Sequence, residues 1–388
     1  MSEIYGRKIV LSCANWFFVV WQIGCALAPN ITTLIICRLL AGMGGVGCLT
    51  LGPGVIADLF PTEKRGLATS IWSMGPMVGP VAGPIIGGFV GETIGWRWVF
   101  WIILITGTAV SLAVEFLNRE TYASVLIRRK TESLAKEMNR PDLRSAYAPL
   151  NGHLSLSATL GHGLKRPGLL FFKSPIVMLL CLYMAFVNGL LYLFFTTIAT
   201  VFQEKYGFST GLSGLAFVGI GLGFFLGLLV SGFTSDRIVL KLTRQNGGKF
   251  EPEMRLRAMI FYSSLIPISF LGYGWSVYKN VHWSVPIASM LPFGCGMMGV
   301  YMCTQTYVID AYPKYAASAN GALTACRSLI AALLPLAGPK LFDTLGLGWG
   351  NSLLGFIALA FVPMPIIFYR YGQRIRERYP VELEHKGA

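Results

Sequence analysis

Long blocks of apolar residues, separated by shorter polar segments, make up most of this chain. A helix needs about 20 predominantly apolar residues to cross the hydrocarbon core of a bilayer. Ten blocks approach or exceed that length, so the pattern predicts an all-α membrane protein with about ten transmembrane helices. The predicted spans cover residues 9–28, 32–57, 67–91, 96–117, 175–200, 210–232, 257–276, 284–309, 317–339 and 349–370.

The charged residues support this prediction by their number and their placement. Only 13% of residues are charged, against about 25% in soluble domains. The net charge of +14 would by itself fit a nucleic-acid-binding protein, but the charges are not spread that way. If the N-terminus is cytoplasmic, 26 of the 32 Lys and Arg residues, counting those at span edges, face inward and four face outward. This bias follows the positive-inside rule and predicts that both termini are cytoplasmic.

The remaining polar residues show no signature of an enzyme or a metal site. All eight cysteines fall within predicted spans, without carboxylate or histidine neighbours at metal-ligand spacing. The four histidines lie in loops and accompany no nucleophile motif or phosphate-binding loop. We therefore expect no metal, no nucleic-acid partner and no catalytic residues.

The longest polar stretch divides the predicted spans into four and six. We predict an N-terminal bundle over residues 1–117 and a partly helical cytoplasmic linker over 118–174. A six-span bundle over 175–370 and a cytoplasmic tail over 371–388 follow.

Two short patterns recur in both halves. Asp58–Pro61 follows the second predicted span as Asp310–Pro313 follows the eighth, each reading Asp, any residue, an aromatic residue and Pro. The acidic-basic segment Glu3–Lys8 precedes the first span, and Gly232–Arg237 follows the sixth. Many secondary transporters are built from such repeated halves. Two spans precede this segment in the second half and none does in the first, so the chain is expected to lack two helices.

These segments resemble the twelve-span fungal drug:proton antiporters of the major facilitator superfamily along essentially the whole chain. Residues 2–8 resemble the family's loop between its second and third spans, and Arg38–Gly42 resembles the motif of its fourth. The most specific match is a Gly-Pro series that resembles the antiporter motif of the fifth span. The series consists of Gly75, Pro76, Gly79, Pro80, Gly83, Pro84, Gly87 and Gly88.

The resemblance implies a major facilitator fold of two pseudo-symmetric helical bundles, here without the first two family spans. It implies proton-coupled efflux of drugs, toxins or secondary metabolites across the plasma membrane by alternating access. The proton gradient would supply the energy without a cofactor, and the partners would be protons and a small amphiphilic solute carried by a monomer. Two alternatives stay open: a proton-coupled uptake transporter of the same fold, and an inactive truncated fragment.

Two ionisable residues near or within spans are candidates for proton coupling. Arg38 lies about six residues into its span, where a charge costs about 2.5–3.5 kcal/mol by insertion scales. Its alternative is an arginine that extends to the nearer headgroups. Glu115 lies near the cytoplasmic end of the fourth span, where an interfacial ion pair is an equally good interpretation.

Two further sets of candidates complete the predicted transport site. Spans that line the cavity of the family carry aromatic and polar groups suited to hydrophobic or cationic amphiphiles. These substrate-cavity candidates are Asn188, Tyr192, Tyr301, Gln305, Tyr307, Asn320 and Arg327. Ion pairs that break when the inner face opens would form a cytoplasmic gate. The gate candidates are Glu3, Gly6, Arg7, Lys8, Asp58, Arg65, Asp236, Arg237 and Asp310.

The expected absence of two spans can be tested on the genomic DNA upstream of Met1. We expect an in-frame stretch that encodes two further apolar spans, because the second half carries two spans at the corresponding place. Sequencing that region is the measurement, and an upstream region with no such reading frame would contradict the expectation.

Overall fold

The computed structural model describes residues 5–60, 62–138, 167–312 and 316–379. Within these ranges the chain is α-helical with short 3₁₀ turns and has no β-strand. Two 3₁₀ turns cover Leu215–Phe217 and Pro252–Arg255. The helices are α1 (Arg7–Ala26), α2 (Ile31–Leu59), α3 (Thr62–Thr93), α4 (Trp96–Leu117), α5 (Ala123–Glu137), α6 (Pro175–Tyr206), α7 (Thr210–Gly214), α8 (Val218–Gln245), α9 (Leu256–Tyr278), α10 (Ser284–Ala311), α11 (Ala316–Phe361) and α12 (Pro363–Arg378).

The predicted spans fall on these helices. Among the described residues, eight helical stretches are long and apolar enough to cross a membrane. The last, Ser318–Arg378, has 61 residues, about three times the length of one crossing, and contains the ninth and tenth predicted spans. The third predicted span lies on α3. The chain is thus an all-α, multi-pass membrane protein.

The predicted boundaries of the linker and of the tail can be compared with the helices of the structure. The predicted linker is partly helical, since it contains α5 and a helical stretch at 167–173, while 139–166 lie outside the described residues. The last helix does not end at residue 370, the predicted end of the last span, because α12 continues to Arg378 within the predicted tail. The second half of α12 is strongly basic. This part of the chain is therefore polar although it is helical.

The chain divides into two compact units. The first comprises Met1–Gly79 and Ile86–Leu156, and the second comprises Pro80–Ile85 and Ser157–Ala388. The main division therefore falls inside the predicted linker. The short segment of the second unit comes from the Gly-Pro series on α3.

Local chemistry explains where several helices begin and end. The Asn30 side chain accepts a hydrogen bond from the Thr33 amide (2.8 Å) and caps α2. Ser174 caps α6 in the same way through the Val177 amide (3.3 Å), with proline at the first helical position. Gly346 has a φ of 72° and interrupts α11, because a residue in that conformation cannot continue a right-handed helix.

In the first unit, α1 packs against both α2 and α4. Glycines on α2 let its backbone approach α1 closely. A Cβ on Gly44 would lie 2.7 Å from the Phe18 amide nitrogen, and one on Gly47 would lie 2.5 Å from the Ala14 Cβ. Small residues at helix contacts are typical of membrane proteins, where association depends on close packing.

In the second unit, five helices form a series of neighbours. In spatial order they are α8, α10, α9, α11 and α6. Aromatic side chains fill the centre of the unit. The rings of Phe194 and Phe270 stack with centroids 4.6 Å apart, and Tyr273 and Phe293 meet Phe194 edge-on at 5.2 and 5.1 Å. All four side chains are buried, so they join α6, α9 and α10.

The contact between α8 and α10 depends on glycines spaced four residues apart. A Cβ on Gly223 would collide with the Leu291 carbonyl and would lie 2.9 Å from the Gly294 Cα. A Cβ on Gly227 would lie 2.8 Å from the Cys295 carbonyl oxygen. The obstacles are backbone atoms, so the helices would have to separate to admit a side chain.

We predict that Gly223→Val destabilises the protein by about 1–3 kcal/mol or more, the usual cost of overpacking. The measurement is the unfolding temperature of the protein purified in detergent. Gly232→Val on the same helix is the matched control, because no heavy atom of the described residues lies within 4 Å of the Cβ position. Equal effects of the two substitutions would contradict the prediction.

Candidate functional site

A first cluster of ion pairs joins the starts and ends of helices in the first unit. The Arg7 Nε lies 3.0 Å from the Asp58 Oδ2, which connects the first residue of α1 to the last turn of α2. The Arg7 guanidinium also lies over the Tyr122 ring, 5.2 Å from its centroid. A Cβ on Gly54 would come within 2.8 Å of the guanidinium, so glycine leaves the space that the arginine occupies.

Glu120, which the sequence analysis did not select, is the centre of this first cluster. Its Oε1 accepts hydrogen bonds from the amides of Arg7 (2.8 Å), Thr121 (3.1 Å) and Tyr122 (3.1 Å). Its Oε2 accepts one from the Lys8 amide (3.3 Å). The carboxylate therefore caps the N-terminus of α1, where both free amides and the helix dipole favour negative charge.

This capping explains both the glycine at position 6 and the lowered pKa of Glu120. Gly6 has a φ of 104°, and a Cβ there would collide with the Glu120 carboxylate, so both backbone and space require glycine. Partial burial acts to raise the pKa of Glu120, but the four backbone amides outweigh it and hold the pKa below its ordinary value.

Lys8 connects the first cluster to the predicted proton carrier. Its Nζ donates to the Glu115 carbonyl oxygen (3.0 Å) and lies 3.9 Å from the Glu115 Oε1. Both side chains are partly exposed. Of the two interpretations of Glu115, this contact favours the interfacial ion pair.

A second cluster lies in the second unit. The Arg255 Nε is 3.0 Å from the Asp310 Oδ2, at the start of α9 and the end of α10. The Arg376 Nη2 is 3.4 Å from the Oε1 of Glu253, whose side chain is only 4% exposed. This pair attaches α12 to the 3₁₀ turn before α9.

The two clusters contain corresponding arginine–aspartate pairs. Arg7 and Asp58 are 51 residues apart, and Arg255 and Asp310 are 55 apart. The aspartates were matched in the sequence, but Arg237 was taken as the basic member of the second set. Arg237 is exposed on α8, whereas Asp310 pairs with Arg255. The long segment between α8 and α9 separates Arg255 from Arg237. Comparing the two halves of the sequence position by position therefore does not show that Arg255 corresponds to Arg7.

Three gate candidates lie beyond what the structure describes. Glu3 is outside the described residues, and so are the side chains of Arg65 and Asp236. Their predicted roles stay predictions. Glu253, Arg255 and Arg376 belong to the second cluster although they were not among the candidates.

Arg38 lies on α2, and its guanidinium carbon is 5.7 Å from the centroid of the Phe100 ring on α4. It forms no ion pair or hydrogen bond with another residue in the described part of the chain. A cation over an aromatic face gains about 0.5–1 kcal/mol at an exposed site, less than the cost of a charge within a span. The ring contact alone therefore does not compensate for the charge.

The Gly-Pro series occupies the middle of α3. In the described part of the chain, Cβ atoms on Gly75, Gly79 and Gly83 would meet no heavy atom within 4 Å. Close packing occurs instead within the second unit, where a Cβ on Gly214 would lie 2.6 Å from the Pro84 carbonyl oxygen. The small residue that allows this approach is therefore Gly214, and not a glycine of the series.

A cavity in the second unit contains four of the seven substrate-cavity candidates. Its volume open to the centres of water molecules is about 20 Å³, and one water needs about 10–15 Å³ by that measure. The cavity in this conformation thus has room for a small polar group but not for a whole drug-sized solute. It is lined by Met184, Tyr301, Thr304, Gln305, Asn320, Leu323, Thr324 and Arg327.

The other three candidates lie elsewhere in the second unit. The side-chain nitrogen of Asn188 donates a hydrogen bond to the backbone carbonyl oxygen of Arg327 (3.3 Å). It therefore holds the backbone of a residue that lines the cavity. Tyr192 is 45% exposed and contacts Phe195. Tyr307 is fully buried, and its hydroxyl has no hydrogen-bond partner among the described residues.

Comparison with known proteins identifies the class of molecule. The Major Facilitator Superfamily family matches residues 1–335. The chain therefore belongs to this superfamily. Together with its apolar helices, this makes it a multi-pass membrane transporter of small solutes and not an enzyme.

Individual relatives agree with this assignment. The chain is 47% identical over 376 residues to the MFS-type transporter penM of Penicillium rubens, covering 97% of this chain and 73% of that protein. It is 39% identical over 386 residues to the efflux pump radE of Floropilus chiversii, covering 99% and 71%. A crystal structure of a D-xylose-proton symporter is similar with a TM-score of 0.65 at 18% identity, covering 93% and 81%, which shows the fold alone.

We predict that Glu120→Gln lowers stability by about 1 kcal/mol at neutral pH, since charge-assisted hydrogen bonds to amides are lost. Because the folded-state pKa lies below the unfolded value of about 4.3, the difference between wild type and variant is complete above that value. It should vanish as the pH falls through the folded-state pKa. Unfolding temperatures in detergent across this pH range measure it.

Glu132→Gln is the matched control, because its pair with Arg128 (3.9 Å) is exposed and such pairs contribute little. A Glu120→Gln variant as stable as this control at neutral pH would contradict the capping role.

Proposed function

We propose that this chain exports a small amphiphilic solute, such as a toxin, drug or secondary metabolite, in exchange for protons across the plasma membrane. The observation that carries the proposal is the similarity to an efflux pump, 39% identical along 99% of this chain. The Gly-Pro series on α3 supports export over uptake, because it resembles the antiporter motif. Alternating access would carry the solute, with protons entering as it leaves.

The driving force is sufficient for one proton per cycle. A proton that crosses 100 mV contributes about 2.3 kcal/mol, and each pH unit adds about 1.36 kcal/mol. Together these sustain a solute gradient of several hundred-fold. No cofactor is needed, and a monomer suffices.

Arg38 is the proposed coupling residue of the first unit. Its charge lies within a candidate span, Ile31–Ile56, without an ion-pair partner among the described residues. Arginine stays protonated, so Arg38 would act through its fixed charge. A proton taken up by a titratable group near it would add positive charge, and the cost of that repulsion would bias the transporter towards the state that releases the proton. Glu115 is the weaker candidate, because Lys8 is already its partner.

The two ion-pair clusters are the proposed gate on the cytoplasmic side. Each connects the start of one helix to the end of another through an arginine and an aspartate 3.0 Å apart. Such pairs are partly exposed, so water can replace them when the helix ends separate. We infer that they close the inward face in one state and break in the other.

Export can be tested in a yeast strain that lacks its own drug pumps. We expect the chain to confer resistance to at least one compound from a panel of antifungal and toxic amphiphiles. The efflux of that compound should then require an inward proton gradient in proteoliposomes. If no compound in the panel is exported in a proton-dependent way, the proposed function fails.

We predict that Arg38→Ala lowers proton-driven export at least about tenfold, equivalent to about 1.4 kcal/mol, while membrane insertion is unchanged. Solute exchange without a proton gradient should persist, because it does not use the coupling step. Arg129→Ala is the control, since this exposed arginine lies on α5, outside the predicted spans. Retained proton-driven export in the Arg38→Ala protein would remove Arg38 from the mechanism.

A further inference from the structure

The cavity of the second unit carries one formal charge, and that charge is positive. Arg327 is the only ionised side chain among the lining residues, which include no Asp or Glu. Asp310, in the last turn of the neighbouring α10, is already paired with Arg255 at 3.0 Å. Within the described residues the Arg327 guanidinium therefore has no counter-ion.

The Arg327 guanidinium nevertheless has an aromatic neighbour, and the backbone of Arg327 is held by a hydrogen bond. Its carbon lies 5.2 Å from the centroid of the Tyr301 ring. The Asn188 side chain holds the backbone of the same residue through a hydrogen bond to its carbonyl oxygen (3.3 Å). A cation–π contact uses none of the N–H groups of the guanidinium, so these groups stay available, and they match the two oxygens of an oxyanion.

The polar groups around the guanidinium are also available. The side chains of Gln305, Asn320 and Thr324 make no hydrogen bond to another described residue, and the Asn320 Oδ1 is buried without a partner. Buried polar groups are nearly always hydrogen-bonded in native proteins. An oxyanion accepts hydrogen bonds, so the groups that can serve it are the side-chain N–H groups of Gln305 and Asn320 and the hydroxyl of Thr324, while the Asn320 Oδ1 needs a donor of its own.

We propose that this cavity binds the oxyanion group, carboxylate or sulfonate, of an amphiphilic solute, with Arg327 as its counter-ion. The small cavity, with room for about one or two waters, suits such a group, and the apolar Met184 and Leu323 lie beside it. This inference rests on the proposed function only in that the solute is a small amphiphile.

The proposal reverses the charge preference expected from the aromatic residues alone. An aromatic face attracts a cation, and the aromatic residues by themselves predicted hydrophobic or cationic amphiphiles. The Tyr301 ring, however, already lies beneath the Arg327 guanidinium. A cationic solute would meet a like charge in place of a free ring.

The test compares two permanently charged probes of equal chain length, decane-1-sulfonate and decyltrimethylammonium. Their binding to the full chain in lipid nanodiscs is measured by calorimetry, with empty nanodiscs subtracted to remove partition into lipid. We expect the sulfonate to bind at least about tenfold more tightly. Arg327→Gln should weaken sulfonate binding about tenfold or more without weakening that of the cation, and Arg327→Lys should retain part of it.

Arg244→Gln is the matched control, because this exposed arginine lies on α8 of the same unit and is absent from the cavity. It should leave the preference for sulfonate unchanged. Circular dichroism and gel filtration establish that the variants are folded. Equal affinity of the wild-type chain for the two probes, no measurable sulfonate binding, or sulfonate binding that is unaffected by Arg327→Gln would overturn the proposal.

No proton gradient is present in this experiment. Selective sulfonate binding combined with a failure of proton-driven export would therefore refute the proposed antiport while leaving the anion site established. Proton-driven export combined with a preference for the cation would support the proposed antiport and refute the anion site.

Discussion

The hydrocarbon interior of a bilayer offers no hydrogen bond to a peptide group, so a chain that crosses it must satisfy every amide and carbonyl within its own helices. Once the helices are formed, lipid competes equally well for their apolar side chains, and only close packing favours one helix over lipid as a neighbour. The glycines of α2 and α8 allow this close packing. Gly44 admits the backbone of α1, and Gly223 admits that of α10.

The same constraint places the charged residues at helix ends. Arg7 and Asp58, like Arg255 and Asp310, connect the first turn of one helix to the last turn of its neighbour at 3.0 Å. Glu120 completes the arrangement in the first unit by supplying an acceptor for amides that α1 cannot satisfy itself. Close packing therefore occurs within the spans, and ion pairing occurs at their ends.

The two arginines inside spans differ from these end pairs. Arg38 and Arg327 each lie against one aromatic ring, of Phe100 and of Tyr301, and neither has an acidic partner among the described residues. A charge in this position is costly, and an acidic group or an anionic ligand can compensate for it. Each unit thus contains one such charge, Arg38 in the first unit and Arg327 in the second.

Much of the fold was determined by the sequence alone. Hydropathy located the spans and the excess of basic residues in alternate loops predicted their orientation, because both depend on composition within short windows. The family followed from local motifs such as the Gly-Pro series. Four cavity residues, Tyr301, Gln305, Asn320 and Arg327, were also predictable, since polar groups in apolar helices are conspicuous.

Contacts between distant residues were decided only by the tertiary structure. Glu120 is an ordinary acidic loop residue in the sequence, and nothing local indicates that it caps a helix that begins 113 residues earlier. The assignment of Arg255 and not Arg237 to Asp310 depends on how the segment between α8 and α9 returns to the bundle. The charge preference of the cavity required knowing that Arg327 already covers Tyr301, because residues on separate helices acquire a shared chemistry only through packing.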